Sequence, residues 1–574
     1  MQSHVNSAVI LAVSILIAAG TLSPPANADV TKTLSTLWSM NVERQTPYNV
    51  QIVDSKTDGD YKTDVFYLDS KPLPDVDADR VVCTFSRIVK PGVVSPVFIN
   101  FGGWTPADVH GAASGLHCAY FDIDLGRKDL AAPPKWATQA SPYNVTPKVT
   151  DNMTFHLIMA TRRVIDYLYE QPEIDKTRIG IVGSSFGAWY SLLTAGVDNR
   201  ITSVCAITAS GGQKEKHGWH SLPVAAMPPD QQQLWIESYD PMTYAKHNTS
   251  TTMMYESAND YSFWLNDTMR HYEALAGDKR LVLLPNNSHG FNAFGYSAPD
   301  ALNSWAAATI NGGPAYPTIT KPIQHGADYT FDAAGPLPIT SAKIYFSPGD
   351  DPVWPAHYWM TFDASQTGAH WTASIPAPYA ALCGNVYATA FDSKGRAVST
   401  MLVPCTGFDP AAASAPLWKG GALWDVETGI SAWRIPGPGK RMLFSRAKAA
   451  SAGPGALKVT PDKDGQFLML TNSVVLSSSH AAKHAGIRLV IDGQGQAGKI
   501  RVSIDQKPCT IDEISYVREV EYSATASTID IPWAQFAGPA NATGPVPFQA
   551  LRIEGSRDGG TPIVFNSIDF YDQN

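Results

Sequence analysis

The sequence predicts an α/β unit built on a mostly parallel sheet with flanking helices, followed by two all-β domains. Three observations carry this. Between about residues 95 and 290, short β-branched apolar runs alternate with stretches of helical spacing, the pattern of strands joined by crossover helices. From about residue 315 the helical periodicity stops, and alternating strands with Gly/Pro turns take over. At 574 residues the chain also exceeds what one hydrophobic core usually supports.

The first 28 residues read as a secretory signal: an apolar run, Ala8 to Gly20, too short to span a membrane, then Ala26-Asn27-Ala28 as a cleavage site. Its leading segment lacks Lys and Arg, a departure from the usual pattern. The expectation is a secreted or periplasmic protein. A net charge of −9 without a basic cluster makes nucleic acid and anionic membranes poor partners. The six cysteines are too few for a disulfide scaffold. Cys383 with Cys405 is the better candidate bridge, Cys83 with Cys118 the weaker, and Cys205 reads as a buried thiol. None has metal-ligand spacing, and no cofactor is called for.

Strand-like pieces at Tyr48–Val53, Tyr61–Leu68 and Val81–Val89 suggest an antiparallel entry to the sheet. Strands at Val97–Phe101 and Ala119–Ile123 and a helix from Met153 to Tyr169 come next. Then comes Arg178-Ile-Gly-Ile-Val-Gly-Ser-Ser-Phe-Gly-Ala, a strand that turns into a helix through Gly183-Ser184-Ser185-Phe186-Gly187. A turn this sharp crowds out any Cβ two residues before and after its apex, and it presents Ser185 there. Strands at Val204–Thr208, Thr251–Tyr255 and Leu281–Leu284 and a helix about Phe263–Leu275 complete the α/β unit, residues 29–314.

Residues 315–406 contain strands enough for an immunoglobulin-like sandwich. A Pro/Ala/Ser-rich link at 407–416 follows, and 417–574 reads as a jelly-roll-like domain. In that last domain Trp418, Trp424, Trp433 and Phe444 are either buried core or a sugar-stacking platform.

A serine hydroxyl needs a base, and the base needs an orienting carboxylate. In a parallel sheet both sit just past later strands. Asp260 follows the strand Thr251–Tyr255, with Glu256 a nearer rival, and His289 follows Leu281–Leu284. The order Ser185, Asp260, His289 is the one this kind of turn demands. For an oxyanion, Phe186 N–H supplies one donor and Trp104 N–H, after Gly102-Gly103, the other. The long connection Gly211–Thr249, with His217, Trp219, His220, Trp235 and Tyr239, reads as an aromatic lid or as its own small core. Trp219, Trp235, Phe263 and Trp264 are the candidate substrate contacts.

These motifs make residues about 80–310 resemble the secreted α/β-hydrolase esterases of the acetyl xylan esterase and cephalosporin-C deacetylase type, and the related PhoPQ-activated bacterial proteins. The carriers are Phe101-Gly102-Gly103-Trp104, Asp122–Arg127, Gly183–Ala188, Ser257-Ala258-Asn259-Asp260 and Ser288-His289-Gly290. The His of the His-Gly-aromatic turn and the full Arg-Gly-Gln-Gly element are missing, so the deacetylase substrate does not carry over. The resemblance implies an α/β hydrolase acting on a small-molecule or polysaccharide ester; the β-sandwich domains that follow, an architecture similar to that of modular carbohydrate-active enzymes, favour an acyl (acetyl-type) group on a polysaccharide. The alternatives are a serine peptidase of the same fold, with Glu215, Glu237 or Asp240 anchoring a charged chain end, and a catalytically silent glycan-binding protein. Oligomeric state is not legible.

Overall fold

The computed structural model describes residues 37–38, 46–73, 78–101, 119–124, 141–213, 218, 220–287, 289–290, 298–348, 353–376, 384–405, 447–453, 456–461, 464–471, 481, 484–506, 514–540, 544–546 and 548–572. The signal segment 1–28, Trp104, Trp219, Cys118, Cys383, the link 407–416 and the aromatics Trp418 to Phe444 lie outside them.

Strands β1 (Gln51–Asp58), β2 (Tyr61–Ser70) and β3 (Asp79–Ile88) form an antiparallel edge. Next in the chain are β4 (Ser95–Phe101), β5 (Ala119–Asp124), helix α1 (Met153–Glu170), β6 (Ile174–Ser184), α2 (Phe186–Val197) and β7 (Ser203–Ile207). Before β8 comes an insertion whose described residues include the α-helices α3 (Ser221–Ala225), α4 (Pro229–Tyr239) and α5 (Pro241–Tyr244). The unit closes with β8 (Thr251–Ser257), α6 (Leu265–Ala274), β9 (Lys279–Leu284) and α7 (Ala298–Thr309). The sheet order is β1-β2-β3-β5-β4-β6-β7-β8-β9, parallel from β5 through β9. The N-terminal part therefore has an α/β-hydrolase fold.

The central strands are apolar throughout because both faces are covered. Ile99, Ile181, Val204 and Leu281 point to the layer holding α1 and α2. Phe98, Val182, Cys205 and Leu284 point to the other, against Leu302 and Trp305 of α7. Asn152 starts α1 by accepting the Thr154 N–H at 2.7 Å. Helix α7 is not legible in the sequence because its Ala-rich stretch lacks a sharp apolar stripe. Strand β1 runs to Asp58 and is exposed along its whole length, so hydropathy gave no sign of its end.

Ten short strands follow: β10 (Thr318–Ile319), β11 (Ile323–His325), β12 (Asp328–Ala334), β13 (Ile339–Pro348), β14 (Met360–Asp363), β15 (Ser365–Thr367), β16 (His370–Ser374), β17 (Gly384–Asp392), β18 (Ala397–Ser399) and β19 (Val403–Pro404). They pack as two layers around Phe331, Ile344, Phe346, Trp371 and Val386. One layer is not separate from the hydrolase sheet. β18 pairs with β9 at Ser399 and Leu281, so a single sheet of 14 strands runs through both units. Arg396 secures the junction by donating to the carbonyls of Pro314 and Ala315 at 2.7 and 2.9 Å.

The C-terminal residues form a further antiparallel sandwich. One sheet holds Ala447–Gly453, Ala456–Pro461, Ile563–Tyr571, Gly486–Asp492 and Ser527–Pro532. The other holds Gln466–Thr471, Ala550–Ser556, Gly498–Gln506 and Ile514–Tyr522. Leu457, Phe467, Ile487, Val502, Ile553 and Phe565 fill the space between. Among the described residues, no helix is long and apolar enough to cross a membrane.

Candidate active site

The turn from β6 into α2 holds Ser185 at φ 55° and ψ −121°, a backbone conformation that a residue with a side chain adopts only under strain. Crowding explains the flanking glycines. A Cβ on Gly183 would lie 2.2 Å from the carbonyl carbon of Gly187, and one on Gly187 would lie 2.6 Å from the Phe101 carbonyl oxygen. The Ser185 N–H donates to the Ile207 carbonyl at 2.8 Å, which ties the turn to the end of β7. Phe186 opens α2, so its N–H belongs to the first-turn donors that no helix carbonyl satisfies.

Three side chains from the carboxyl ends of β6, β8 and β9 meet. Ser185 Oγ lies 2.8 Å from His289 Nε2, and His289 Nδ1 lies 2.8 Å from Asp260 Oδ2. A carboxylate only accepts, so the ring proton sits on Nδ1, leaving Nε2 to accept from the serine hydroxyl. Asp260 is 1% exposed, and its other oxygen accepts the N–H groups of Ser262 (2.6 Å) and Phe263 (3.0 Å). It thus caps the turn into α6 while holding the imidazole. The two loops are stitched together. Asn287 Nδ2 donates to Ser257 Oγ and to the Gly290 carbonyl, each at 2.8 Å, and the Asn259 N–H donates to the Asn287 carbonyl at 3.1 Å.

Glu256, the rival carboxyl, is fully buried four residues earlier. Burial, reinforced by the charge of Asp260, raises its pKa well above the usual carboxyl range and keeps it neutral. It makes no hydrogen bond to His289; Asp260 does.

Around the serine lies an aromatic cluster. His220 meets Phe186 edge-on with centroids 4.5 Å apart, stacks on Phe263 at 4.4 Å, and approaches the Tyr143 hydroxyl at 3.3 Å. Burial, with a smaller contribution from His289, pushes its pKa down to about 3, so this second imidazole is neutral. The sequence marked His220 only as one member of an aromatic segment; nothing local signals its closeness to His289. Phe263, 2% exposed, sits 6.0 Å from the His289 ring.

Two of the expected substrate contacts are buried. Trp235 is 2% exposed, stacked between Trp189 (5.8 Å) and Tyr143 (6.1 Å), with Nε1 donating to the Pro142 carbonyl at 2.9 Å. It packs within the inserted helices, where it also lines a small cavity with Phe186, Trp189 and His220. Trp264 is buried against Val353 and Trp354 of the second unit rather than open to a ligand.

Of the groups considered as peptide anchors, Asp240 is buried and already accepts the N–H groups of Gly212, Gln213 and Met242. Glu237 points outward and accepts from Gln233 at 2.7 Å, and Glu215 lies outside the described residues. Cys405 carries a free thiol 3.1 Å from the Tyr329 hydroxyl, against the bridge expected with Cys383. Cys83 and Cys205 are buried in the sheet, and burial raises the Cys205 thiol pKa.

Several known proteins resemble parts of this chain. The family model for the C-terminal region of BAAT and acyl-CoA thioester hydrolases matches residues 162–269, and that for PhoPQ-activated pathogenicity-related proteins matches 225–333. Similar solved structures include acetyl xylan esterase 1 from Thermoanaerobacterium sp. JW/SL YS485, 15% identical over 45% of this chain and 89% of that one, with a TM-score of 0.37. The acetyl xylan esterase from Paenibacillus sp. R4 is 16% identical over 45% and 87%, with a TM-score of 0.36. A glucuronoyl esterase from Solibacter usitatus is 10% identical over 48% and 92%, with a TM-score of 0.34. No curated protein matches the chain significantly. The first of these family matches covers Ser185 and Asp260, and the second covers Asp260 and His289.

Proposed function

We propose that the protein is an exported serine hydrolase that cleaves a carboxylic ester, an acetyl-type acyl group on a polysaccharide foremost. The observation that carries this is the chain of two 2.8 Å contacts from Ser185 through His289 to Asp260, with the serine at a strained apex. Ser185 Oγ attacks the ester carbonyl as His289 Nε2 takes its proton, and Asp260 steadies the resulting imidazolium. The Phe186 N–H faces the oxyanion, and Trp104 N–H is the proposed second donor. His289 returns the proton to the leaving alcohol. Water, deprotonated by the same imidazole, then attacks the acyl-enzyme and releases the acid and the free serine. The polysaccharide part is supported by architecture: a separate C-terminal β-sandwich follows the sheet shared by the first two units.

The match to a thioester hydrolase model across Ser185 favours a second reading, an acyl thioester substrate, which the same acyl-enzyme chemistry serves. A fluorophosphonate probe and p-nitrophenyl acetate test the nucleophile: both labelling and turnover should vanish in Ser185→Ala. Labelling that survives moves the nucleophile elsewhere. Comparing acetylated xylan with acetyl-CoA then separates the two substrate classes.

A further inference from the structure

The loops bearing Asp260 and His289 are both clasped by one segment of the second unit, residues 353–359. Asn259, immediately before Asp260, is 2% exposed, and its Nδ2 donates to the carbonyls of Pro355 (3.2 Å) and His357. Asn286, three residues before His289, pairs with Trp359 in both directions: Oδ1 accepts its N–H at 2.8 Å and Nδ2 donates to its carbonyl at 2.7 Å. The segment is itself firmly held. The His357 ring stacks on Trp354 at 4.5 Å and on Trp359 at 5.9 Å, and its Nδ1 meets Ser347 Oγ at 2.9 Å. Trp354 and Val353 pack on Trp264, the residue that leads into α6.

A buried carboxamide is costly unless its donors and acceptors are met. Here the partners of the Asn259 Nδ2 donor and of both polar atoms of half-buried Asn286 come from a unit that begins after both loops have been made, while Asn259 Oδ1 accepts nothing. The preferred conformation of each loop is thus set jointly by the α/β unit and by residues 353–359. Hydrogen-bond geometry at Ser185, His289 and Asp260 tolerates little error, and a displacement of about 1 Å costs on the order of 100-fold in rate.

We infer that Asn259 and Asn286 are positioning residues, through which the β10–β19 unit completes the active site instead of serving as an accessory module. This rests on the hydrolase function proposed above. Neither residue touches the reacting atoms; each acts by aligning a loop that does.

The test uses the full chain carrying Asn259→Ala, Asn286→Ala, or both. With p-nitrophenyl acetate, kcat should fall roughly 10- to 100-fold while KM stays within about twofold. Phe331→Leu, in the core of the second unit but outside residues 353–359, serves as the control: it should lower Tm and leave kcat within about twofold at temperatures well below Tm. The inference is overturned if both single variants and the double keep wild-type kcat, or if Phe331→Leu loses kcat in step with the asparagine variants. An absence of wild-type turnover would count against the hydrolase reading alone. The low-field proton resonance of His289 Nδ1 shared with Asp260 then reports the alignment directly: its loss in Asn286→Ala supports the inference, and its persistence unchanged overturns it.

Discussion

Gly183 and Gly187 approach so closely across the Ser185 turn that a Cβ on the first would sit 2.2 Å from the carbonyl carbon of the second. The obstacle is backbone, which cannot swing aside as a side chain does. Gly183→Ala should therefore destabilise the α/β unit by about 3 kcal/mol or displace the turn. A fall in Tm together with lost fluorophosphonate labelling checks this; a folded, fully labelled variant would contradict it.

The buried carboxyls of Glu256, near the end of β8, and of Asp260, just past that strand, should respond oppositely to amide substitution. Asp260→Asn puts a donor where His289 needs an acceptor and should lower kcat by about four orders of magnitude. Glu256 is held neutral by burial, so Glu256→Gln replaces one uncharged group with another of the same shape and should leave kcat within a few-fold. Steady-state kinetics on both variants decides which carboxyl orients the imidazole.

Buried histidines should make the fold acid-sensitive. Burial pushes His271 from 6.5 down to about 3, and its Nδ1 accepts the Gly211 N–H at 2.7 Å. His220 is lowered to about 3 as well. Between these limits the unfolded chain binds protons that the folded chain does not. The stabilisation is thus complete above about pH 6.5 and is lost as pH falls towards 3. The raised carboxyls of Glu256 and Asp240 act in the opposite sense, since their contributions fade as pH rises. His271→Asn keeps an acceptor near Gly211 but cannot titrate, so Tm should fall less steeply from pH 6.5 to 4 than in the unmodified chain.

Trp235→Ala should behave as a core truncation. Loss of its stacking with Trp189 and Tyr143 predicts about 3–5 kcal/mol of destabilisation. Well below Tm, the ranking of ester substrates should not change. A changed ranking with unchanged Tm would return Trp235 to the substrate site.

The sequence by itself determined the parts whose physics is local. The Ser185 turn is legible because its steric demand for glycine falls within five residues, between a β-branched run and a helical one. The parallel sheet is legible because strands covered on both faces need continuous apolar runs, as in Val97–Phe101 and Val204–Ile207. The positions of Asp260 and His289 after β8 and β9 follow from the same strand count.

Only the tertiary structure decided what depends on neighbours distant in the chain. Glu256 lies near the end of β8 and Asp260 just past it, and which one reaches His289 turned on the path of the loop between them. Trp235 and Trp264 carry the same hydropathy whether they face a ligand or a core, and their burial was settled by Trp189 in one case and Trp354 in the other. The bonds from Asn259 and Asn286 to residues 355–359 span more than 70 positions. An asparagine in a turn normally satisfies itself locally, so no pattern in the sequence marked these two as links to another unit.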